Sequence, residues 1–347
     1  MQDAGPCFLG ADVGGSKTHA LIADASGRAL GFGQSGPGNP ESVGYEGLAR
    51  VLQEATNEAL AAAGISREMI AGAGFGIGGY DWPSQRPAML EAIGSLGLSA
   101  PVEIVNDALI ALLAGAEQGW GVAVVAGTSC NCWGRAPDGR EGRMTGFSWL
   151  GEAAGAGELV LKALQAIALE WTRRGPATRL TQAFVELAGL PDVEALLEAL
   201  TIGGLYIGAD AAPVVFRVAA EGDEVALELV RWAGRELASM AIGVIRQLDL
   251  APLSFEIVLA GSFFNGSPLL AETMAETIHP VAPGARLVRL EVPPVVGAVI
   301  LGMKQAGLPT SPRRPVLIRS FAELRSYTPS VLRACHAGAI QAGEDRA

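Results

Sequence analysis

The sequence lacks a long apolar run. Half of its 347 residues are apolar, yet they are dispersed in short segments, well below the ~20 consecutive residues needed to span a bilayer. The first six residues also lack the basic region and apolar stretch of a signal peptide. We therefore expect neither a membrane segment nor export.

Cysteine and histidine are scarce. The four cysteines (Cys7, Cys130, Cys132 and Cys335) and the three histidines are spaced for neither a disulfide framework nor a zinc site. Cys130 and Cys132 are too close in sequence for a redox pair, so buried thiols are the favoured interpretation. We expect a cytoplasmic protein.

Positive charge is also scarce. The net charge of −11 argues against a nucleic-acid partner, whose phosphates would be repelled. Only three residues are lysine. One of them, Lys17, lies inside a glycine-rich turn near the N-terminus.

The chain does contain a strand and helix order that occurs twice. Each half predicts the order β-β-β-α-β-α-β-α, with an offset of about 110 residues, which indicates an internal duplication. We therefore expect an α/β fold of two domains, residues 1–118 and 119–310, with an active site in a cleft between them. The tail, residues 311–347, is expected to carry one helix, Phe321–Ala337.

The segment Gly10–Thr18 nearly matches a Walker A loop, with one extra residue before the lysine. A strand-length run, Thr18–Asp24, follows it where a Walker A loop would open a long helix, so a strand-turn-strand hairpin is the better interpretation. The amides of such a turn can bind an anion, and Asp12 at the strand end suits Mg²⁺. The alternative is a hairpin turn that binds neither an anion nor a metal ion. The candidate phosphate contacts are Gly14, Gly15, Ser16, Lys17 and Thr18.

A second turn, Gly127-Thr128-Ser129, follows an apolar strand predicted over Gly121–Ala126. Its equivalent position in the second half predicts that two phosphate-binding hairpins face each other across the cleft. A third turn, Gly261-Ser262, follows a late strand and is expected to lie beside a nucleoside.

The repeated glycines of Gly72–Gly79 give only a weak dinucleotide-binding signal, because no helix begins at the last glycine. We interpret this segment as a strand that another backbone approaches closely. The loop that starts at Gly78-Gly79 is a candidate substrate contact.

Asn106 and Asp107 lie where an apolar strand gives way to a helix, a location favoured for chemistry in α/β proteins. Asp107 is the candidate general base, because phosphoryl transfer needs a carboxylate that accepts the proton of the attacking hydroxyl. The alternative is that Asp107 only caps the helix starting at Ala108.

These residues resemble the BadF/BadG/BcrA/BcrD ATPase family and, within it, the N-acetylglucosamine kinases of the superfamily of sugar kinases, heat-shock ATPases and actin. The resemblance implies duplicated ribonuclease H-like domains, each with a mixed five-stranded sheet. The motifs that carry it are Asp12–Thr18, Pro37-Gly38-Asn39, Ile77-Gly78-Gly79, Asn106-Asp107-Ala108, Ala126–Asn131, Gly261-Ser262 and Pro293-Pro294-x-x-Gly297-Ala298.

The resemblance implies a kinase that uses ATP and Mg²⁺. Ser16 and Thr128 would contact the ATP phosphates, and Asp12 would hold the magnesium ion through water. Asp107 would be the base for the 6-hydroxyl of a sugar. The implied sugar contacts are Asn39, Gly78, Gly79, Asn106, Asp107, Asn131, Gly146, Phe147 and Glu152.

One stretch departs from the family pattern. The segment Gly146–Gly155 is one residue shorter than usual, and Glu152 stands where the family has an aspartate that binds the sugar. The longer side chain would offset the shorter loop and keep an acidic group at the sugar. The alternative is that Glu152 only favours the positive end of a helix that begins there.

We therefore expect an amino-sugar kinase, with N-acetylglucosamine as the first candidate acceptor and glucosamine or N-acetylmuramic acid as others. The resemblance also implies a homodimer, and we expect no nucleic-acid or membrane partner. Two alternatives stay open: an ATPase that activates a partner enzyme through an iron–sulfur cluster, and a nucleotide-binding regulator without catalysis.

Overall fold

The computed structural model describes residues 5–147 and 150–326. Within them the chain forms two compact units. The first unit holds the residues up to Gly119 together with those from Glu291 onward, and the second is Trp120–Leu290. Each unit contains one mixed five-stranded sheet with helices packed on it, which confirms the expected α/β duplication. The expected cleft between the halves stays a prediction.

The first unit begins with a three-strand meander. Its sheet has the order β3-β2-β1-β4-β5, in which β1 pairs antiparallel with β2 and parallel with β4. The predicted order of elements in this half is confirmed. The elements up to residue 119 are β1 (Cys7–Val13), β2 (Thr18–Asp24), β3 (Ala29–Ser35), α1 (Pro40–Ala63), β4 (Ile70–Ile77), α2 (Arg86–Gly94), β5 (Val102–Asn106) and α3 (Asp107–Gly115).

The second unit repeats this topology, with several extra helices after its third strand. Its elements are β6 (Gly121–Ala126), β7 (Cys130–Arg135), β8 (Glu141–Arg143), α4 (Ala156–Trp171), α5 (Leu180–Ala188), α6 (Val193–Thr201), α7 (Ala212–Ala220), α8 (Glu224–Gln247), β9 (Phe255–Ala260), α9 (Pro268–Ile278) and β10 (Ala285–Arg289). The sheet order is β10-β9-β6-β7-β8. The pairing of β6, antiparallel with β7 and parallel with β9, matches that of β1.

The last strand is followed by α10 (Val295–Gln305), which packs on the sheet of the first unit, against β1, β4 and α3. All of its residues from Val295 to Met303 are buried. The sequence pattern had grouped this helix with the second domain, residues 119–310. An apolar helix fits the apolar face of either sheet, so periodicity alone does not show which sheet it covers.

Glycines allow α10 to lie directly on the backbones of two strands. A Cβ atom on Gly74 in β4 would lie 2.2 Å from the carbonyl oxygen of Ala298, and one on Gly10 in β1 would lie 2.3 Å from Val299 N. No side chain fits at either position. The prediction that β4 is closely approached by another backbone is therefore confirmed, and the glycine repeat serves packing.

After α10, residues 314–326 are helical. The ring of Phe321 packs 5.4 Å from that of Phe32, and Ser320 Oγ accepts a hydrogen bond from Ala29 N at 2.9 Å. The rest of the helix predicted over Phe321–Ala337, like Cys335, lies outside the described residues. In the described part of the chain, no helix has the length and apolar character needed to cross a membrane.

Candidate active site

The turn between β1 and β2 is formed by Gly14, Gly15, Ser16 and Lys17. Gly14 N donates to Lys17 O at 2.9 Å, and the two flanking strands pair antiparallel. The hairpin interpretation is therefore confirmed. Gly15, Ser16 and Lys17 are exposed, so a backbone amide, a hydroxyl and an ammonium group are available to an anion.

Thr18 is separated from the other predicted phosphate contacts. It is the first residue of β2, and its side chain is fully buried. Side chains alternate between the two faces of a strand, so Thr18 points into the core while Lys17 lies at the surface. The hydroxyl of Thr18 has no hydrogen-bond partner among the described residues and is not accessible to a phosphate.

Asp12 lies near the carboxyl end of β1 and is half-buried. Burial and the nearby negative charge of Asp107 raise the pKa of Asp12 to about 7, against the opposing influence of Lys17. A divalent cation would offset both unfavourable effects. The described residues contain no cluster of three or more metal-ligating side chains. Mg²⁺ is commonly held by one or two carboxylates together with waters and substrate phosphates, and Asp12 is a carboxylate of the kind required.

Asp107 is the first residue of α3, but the cap of this helix is Asn106. The Oδ1 atom of Asn106 accepts a hydrogen bond from Ala108 N at 2.9 Å, so the alternative that Asp107 serves as the cap is wrong. Burial, followed by the negative charge of Asp81, raises the pKa of Asp107 to about 6, although backbone amides at the helix start oppose this shift. A carboxylate with a pKa near the working pH suits a general base.

Asn106 is fully buried and uses both N–H groups of its amide inside the protein. Nδ2 donates to Tyr80 O and to Asp81 Oδ1, each at 3.1 Å. Gln85 holds the same loop from its other side, because Oε1 accepts from Asp81 N at 2.9 Å and Nε2 donates to Gly79 O at 2.9 Å. Asn106, predicted as a substrate contact, therefore positions this loop.

The loop places Gly78 and Gly79 beside two predicted sugar contacts. A Cβ on Gly79, whose φ is +82°, would lie 2.4 Å from Asn39 Oδ1, and one on Gly78 would lie 3.3 Å from Asp107 Oδ2. The first unit thus brings these four residues close together, with Gly78 and Gly79 themselves buried. Asn39 Oδ1 caps α1 by accepting from Glu41 N at 2.9 Å, and its Nδ2 group donates to Glu41 Oε2 over a long distance of 3.5 Å.

In the second unit, the turn after β6 is fixed by the start of α4. Gly127 N donates to Ser129 O at 2.8 Å across the turn. The carbonyls of Gly127 and Thr128 accept from Ala156 N at 2.9 Å and Gly157 N at 3.0 Å. The side chains of Thr128 and Ser129 are exposed, so this turn, like the first, presents polar groups to solvent on a rigid base.

The third turn lies directly against the second. Gly261 has a φ of +100°, and a Cβ on it would lie 2.0 Å from Ala126 O. Gly127, Thr128 and Ser262 line one cavity of about 640 Å³ in this unit. The residues predicted to contact phosphate and nucleoside in the second half are therefore brought together.

Glu152 is only 7% exposed, and its carboxylate faces the backbone of the preceding loop. Oε1 accepts from Thr145 N, and Oε2 accepts from Gly146 N at 2.8 Å and from Phe147 N at 3.3 Å. The alternative that Glu152 begins a helix is wrong, because α4 begins at Ala156. Glu152 orders the loop that carries the predicted sugar contacts Gly146 and Phe147.

Asn131, the remaining predicted sugar contact, lies on β7 between two cysteines. Its Oδ1 accepts from Cys132 N at 2.8 Å, and its side chain is partly exposed. Burial raises the pKa of Cys130 to about 12 and that of Cys132 well above its usual value. The interpretation as a buried thiol is confirmed for Cys132, whereas Cys130 is part-buried; both thiols are free.

A family model matches residues 9–302, nearly the whole described chain, and its members are the BadF/BadG/BcrA/BcrD ATPases. The chain belongs to the BadF/BadG/BcrA/BcrD ATPase family. Membership confirms the resemblance drawn from the motifs, and it assigns the use of ATP to this protein at the level of the family.

Two relatives in this family are named as kinases. The chain is 29% identical to the N-acetylmuramic acid/N-acetylglucosamine kinase of Clostridium acetobutylicum, over 86% of this chain and 98% of that protein. It is 25% identical to the N-acetyl-D-glucosamine kinase of Dictyostelium discoideum, over 85% and 97% of the two chains. A solved structure assigned as an N-acetylglucosamine kinase, from Chromobacterium violaceum, is similar in fold, with a TM-score of 0.64, 22% identity and coverage of 86% and 99%.

Sequence reasoning missed several polar residues of this BadF-type ATPase. Asp81 and Gln85 lie in the loop after Gly78-Gly79, which the sequence marked only as a whole. Arg289, which donates to Gly261 O at 3.2 Å and to Asn265 Oδ1 at 2.7 Å, carries no motif. Their roles depend on hydrogen bonds between segments distant in sequence, and such bonds leave no local pattern to detect.

Proposed function

We propose that this chain is an ATP-dependent kinase that phosphorylates the 6-hydroxyl of an amino sugar, with N-acetylglucosamine first and N-acetylmuramic acid or glucosamine as further acceptors. The observation that carries this proposal is the environment of Asp107. Its carboxylate has a raised pKa, is not needed as a helix cap, and lies beside the loop at Gly78 and Gly79. The names of the two relatives support the choice of acceptor.

In this mechanism the sugar binds against Gly78 and Gly79, with Asn39 Nδ2 as a donor to one of its hydroxyls. The ionised Asp107 accepts the proton of the 6-hydroxyl as the sugar oxygen attacks the γ-phosphorus. The bond between the γ-phosphorus and the bridging oxygen breaks, and the electron pair leaves with ADP. Asp107 then returns the proton to solvent.

Each unit supplies candidate phosphate contacts in a hairpin turn. In the first unit these are Ser16 and the exposed amides, which donate hydrogen bonds to phosphate oxygens, and Lys17, which adds a positive charge; in the second unit the candidate contact is Thr128. Asp12 is the residue that would hold Mg²⁺, through water, and the ion would supply charge neutralisation on the phosphates. The nucleoside occupies the cavity lined by Thr128 and Ser262.

The proposal is tested by ADP release from the purified chain in the presence of N-acetylglucosamine, N-acetylmuramic acid, glucosamine and glucose. We expect an N-acetylated amino sugar to give the highest kcat/KM. Phosphorus NMR of the product is expected to show a phosphomonoester on the 6-oxygen. If none of these sugars stimulates ADP release while ATP is still bound, the kinase proposal fails.

The iron–sulfur activator alternative requires cysteine thiolates as cluster ligands. Cys130 and Cys132 lie on β7 and Cys7 lies in β1, and burial raises the pKa of all three thiols, which disfavours the thiolate form. Iron analysis of protein purified without oxygen tests the activator alternative, with no bound iron as the expected result.

A cytoplasmic location and a homodimer remain proposals that rest on the family resemblance.

A further inference from the structure

The first unit contains a cavity of about 340 Å³ near the carboxyl end of β1, a size typical of small-molecule sites. A row of three side chains on neighbouring strands lines it, because Asp12 lies opposite His19 and His19 lies opposite Gln34 in the strand pairs. Residues directly opposite one another share one face of a sheet. Pro293 and Pro294, directly before α10, form a further wall of the cavity.

The tail helix, residues 314–326, packs on the same face of this sheet. The ring of Phe321 lies 5.4 Å from that of Phe32, which in turn lies 5.2 Å from the ring of His19. Phe321 is only 2% exposed, so a buried apolar contact anchors the helix at this point. Residues four apart lie on the same side of a helix. Arg325 therefore lies on the anchored side, one turn after Phe321, and it lines the cavity.

Two cations face this cavity. Lys17 of the first turn and Arg325 of the tail helix both line it, and both are exposed. Neither side chain makes a hydrogen bond or an ion pair with another described residue. His19 adds no charge at neutral pH, because burial, followed by the charges of Lys17 and Arg325, lowers its pKa to about 4. Asp12 supplies the one carboxylate among the described residues that line the cavity.

This combination of charges fits a phosphate chain with its metal ion better than it fits a lone anion. A lone anion would be attracted by Lys17 and Arg325 but repelled by Asp12. With a phosphate chain that carries Mg²⁺, the carboxylate faces the metal ion through water while the two cations face phosphate oxygens. A guanidinium can also donate two parallel hydrogen bonds to one phosphate, which an ammonium group cannot.

We propose that Arg325 binds the terminal phosphates of ATP, so that the tail helix supplies a second cation beside Lys17. The inference rests on the proposed function, because it adds a residue to the phosphate site of that function. The match to the family model ends at residue 302, and the tail helix lies beyond it. The contact from Arg325 is therefore an addition to the site from outside the region that carries the family's motifs.

The test compares Arg325→Ala with the wild type by calorimetry, using ATP, ADP and AMP with Mg²⁺ and without sugar. We expect the Kd for ATP to rise about 10-fold, for the loss of one charge-assisted contact. The Kd for AMP, which lacks the terminal phosphates, should not change. Arg325→Lys keeps the charge and should recover part of the loss. The effect of Arg325→Ala should shrink at high salt, because exposed charges are screened.

Arg319 offers a matched control on the tail helix. It is exposed and lies six residues before Arg325, on a different side of the helix. Arg319→Ala removes the same charge from the same helix and should leave the Kd for ATP unchanged. Equal losses in the two variants would mean that only the net charge of the helix matters, and the proposed contact would then be wrong.

Other outcomes also decide the matter. The inference fails if Arg325→Ala binds ATP as tightly as the wild type, or if it loses equal affinity for ATP and AMP. Inorganic phosphate serves as a second probe. If the wild type binds it, and Arg325→Ala loses it without any change in ATP binding, Arg325 belongs to a separate anion site and the inference is overturned.

The same measurements separate this inference from the proposed function. If ATP binding depends on Arg325 as expected but no sugar is phosphorylated, the proposed function fails and the contact from Arg325 stands. If a sugar is phosphorylated and Arg325→Ala binds ATP normally, only this inference fails. If the wild type binds no ATP, both fail.

Discussion

The side-chain amide of Asn106 donates to Oδ1 of Asp81 at 3.1 Å, and this contact keeps a second carboxylate close to the candidate base. The negative charge of Asp81 helps to raise the pKa of Asp107 to about 6. A like charge near a carboxylate disfavours its ionised form. The residue that caps α3 therefore also maintains the electrostatic environment of the base.

The first prediction is a pH profile. Asp107 must be ionised to accept a proton, so kcat/KM for the sugar is expected to fall about tenfold for each pH unit below about 6 and to level off above it. Asp81→Asn keeps an acceptor for Asn106 but removes the charge. The acidic limb of the profile should then move to lower pH. A limb that stays in place, in a variant with unchanged melting temperature, would show that Asp81 does not influence the base.

The second prediction concerns Asp107→Asn. Removal of the base is expected to lower kcat by about 10²- to 10⁴-fold, while the Kd for ATP stays near that of the wild type. Rapid-quench measurement of the chemical step checks the loss. A variant with wild-type kcat per folded molecule would contradict the role of Asp107 as base.

The same substitution has an expected effect on stability. The pKa of Asp107 is about 6 in the folded chain, above its ordinary value of 3.8. The folded state therefore holds the proton more tightly, and the free energy of unfolding falls as the pH rises through this window. Asp107→Asn avoids that loss. Its melting temperature should equal or exceed that of the wild type at pH 8, and the difference should shrink at pH 4. A lower melting temperature at pH 8 would contradict this account.

Much of the fold could be predicted from the sequence, because apolar runs and turn residues are local signals. The first hairpin is an example. The strand-length run after Lys17 distinguishes it from a Walker A loop, and the structure has the expected antiparallel pair. The position of α10 could not be predicted, since its contacts with Gly10 and Gly74 join segments more than two hundred residues apart along the chain.

In the candidate site, the sequence identified residues of interest but did not predict the contacts that they make. Asp107 was identified from its place after a strand, yet which of two adjacent polar residues caps α3 depends on side-chain geometry. Glu152 was identified as a departure from the family pattern, but its three backbone partners depend on a loop conformation that the sequence does not specify.

The third prediction compares hydroxyl groups in the two turns. Ser16→Ala and Thr128→Ala each remove an exposed hydroxyl from a proposed phosphate contact, and each is expected to raise the KM for ATP by about 5- to 10-fold. Thr18→Val is the matched control, because this hydroxyl is buried without a partner among the described residues. It should leave the KM for ATP unchanged and should not lower the melting temperature. If Thr18→Val affects ATP as strongly as Ser16→Ala does, the assignment within the first turn is wrong.

The last prediction concerns Glu152→Gln. An amide has one oxygen where the carboxylate has two, and its N–H groups would face backbone N–H donors of the loop at Thr145–Phe147. We expect the free energy of unfolding to fall by about 1–3 kcal/mol and the KM for the sugar to rise, with the KM for ATP nearly unchanged. Glu158→Gln is the control, because Glu158 holds a different backbone amide, that of Gly155, at 3.0 Å. It should cost stability without a selective effect on the sugar. Equal effects of the two variants on the sugar KM would mean that Glu152 only stabilises the fold, and the loop at Gly146 would then lose its place in the sugar site.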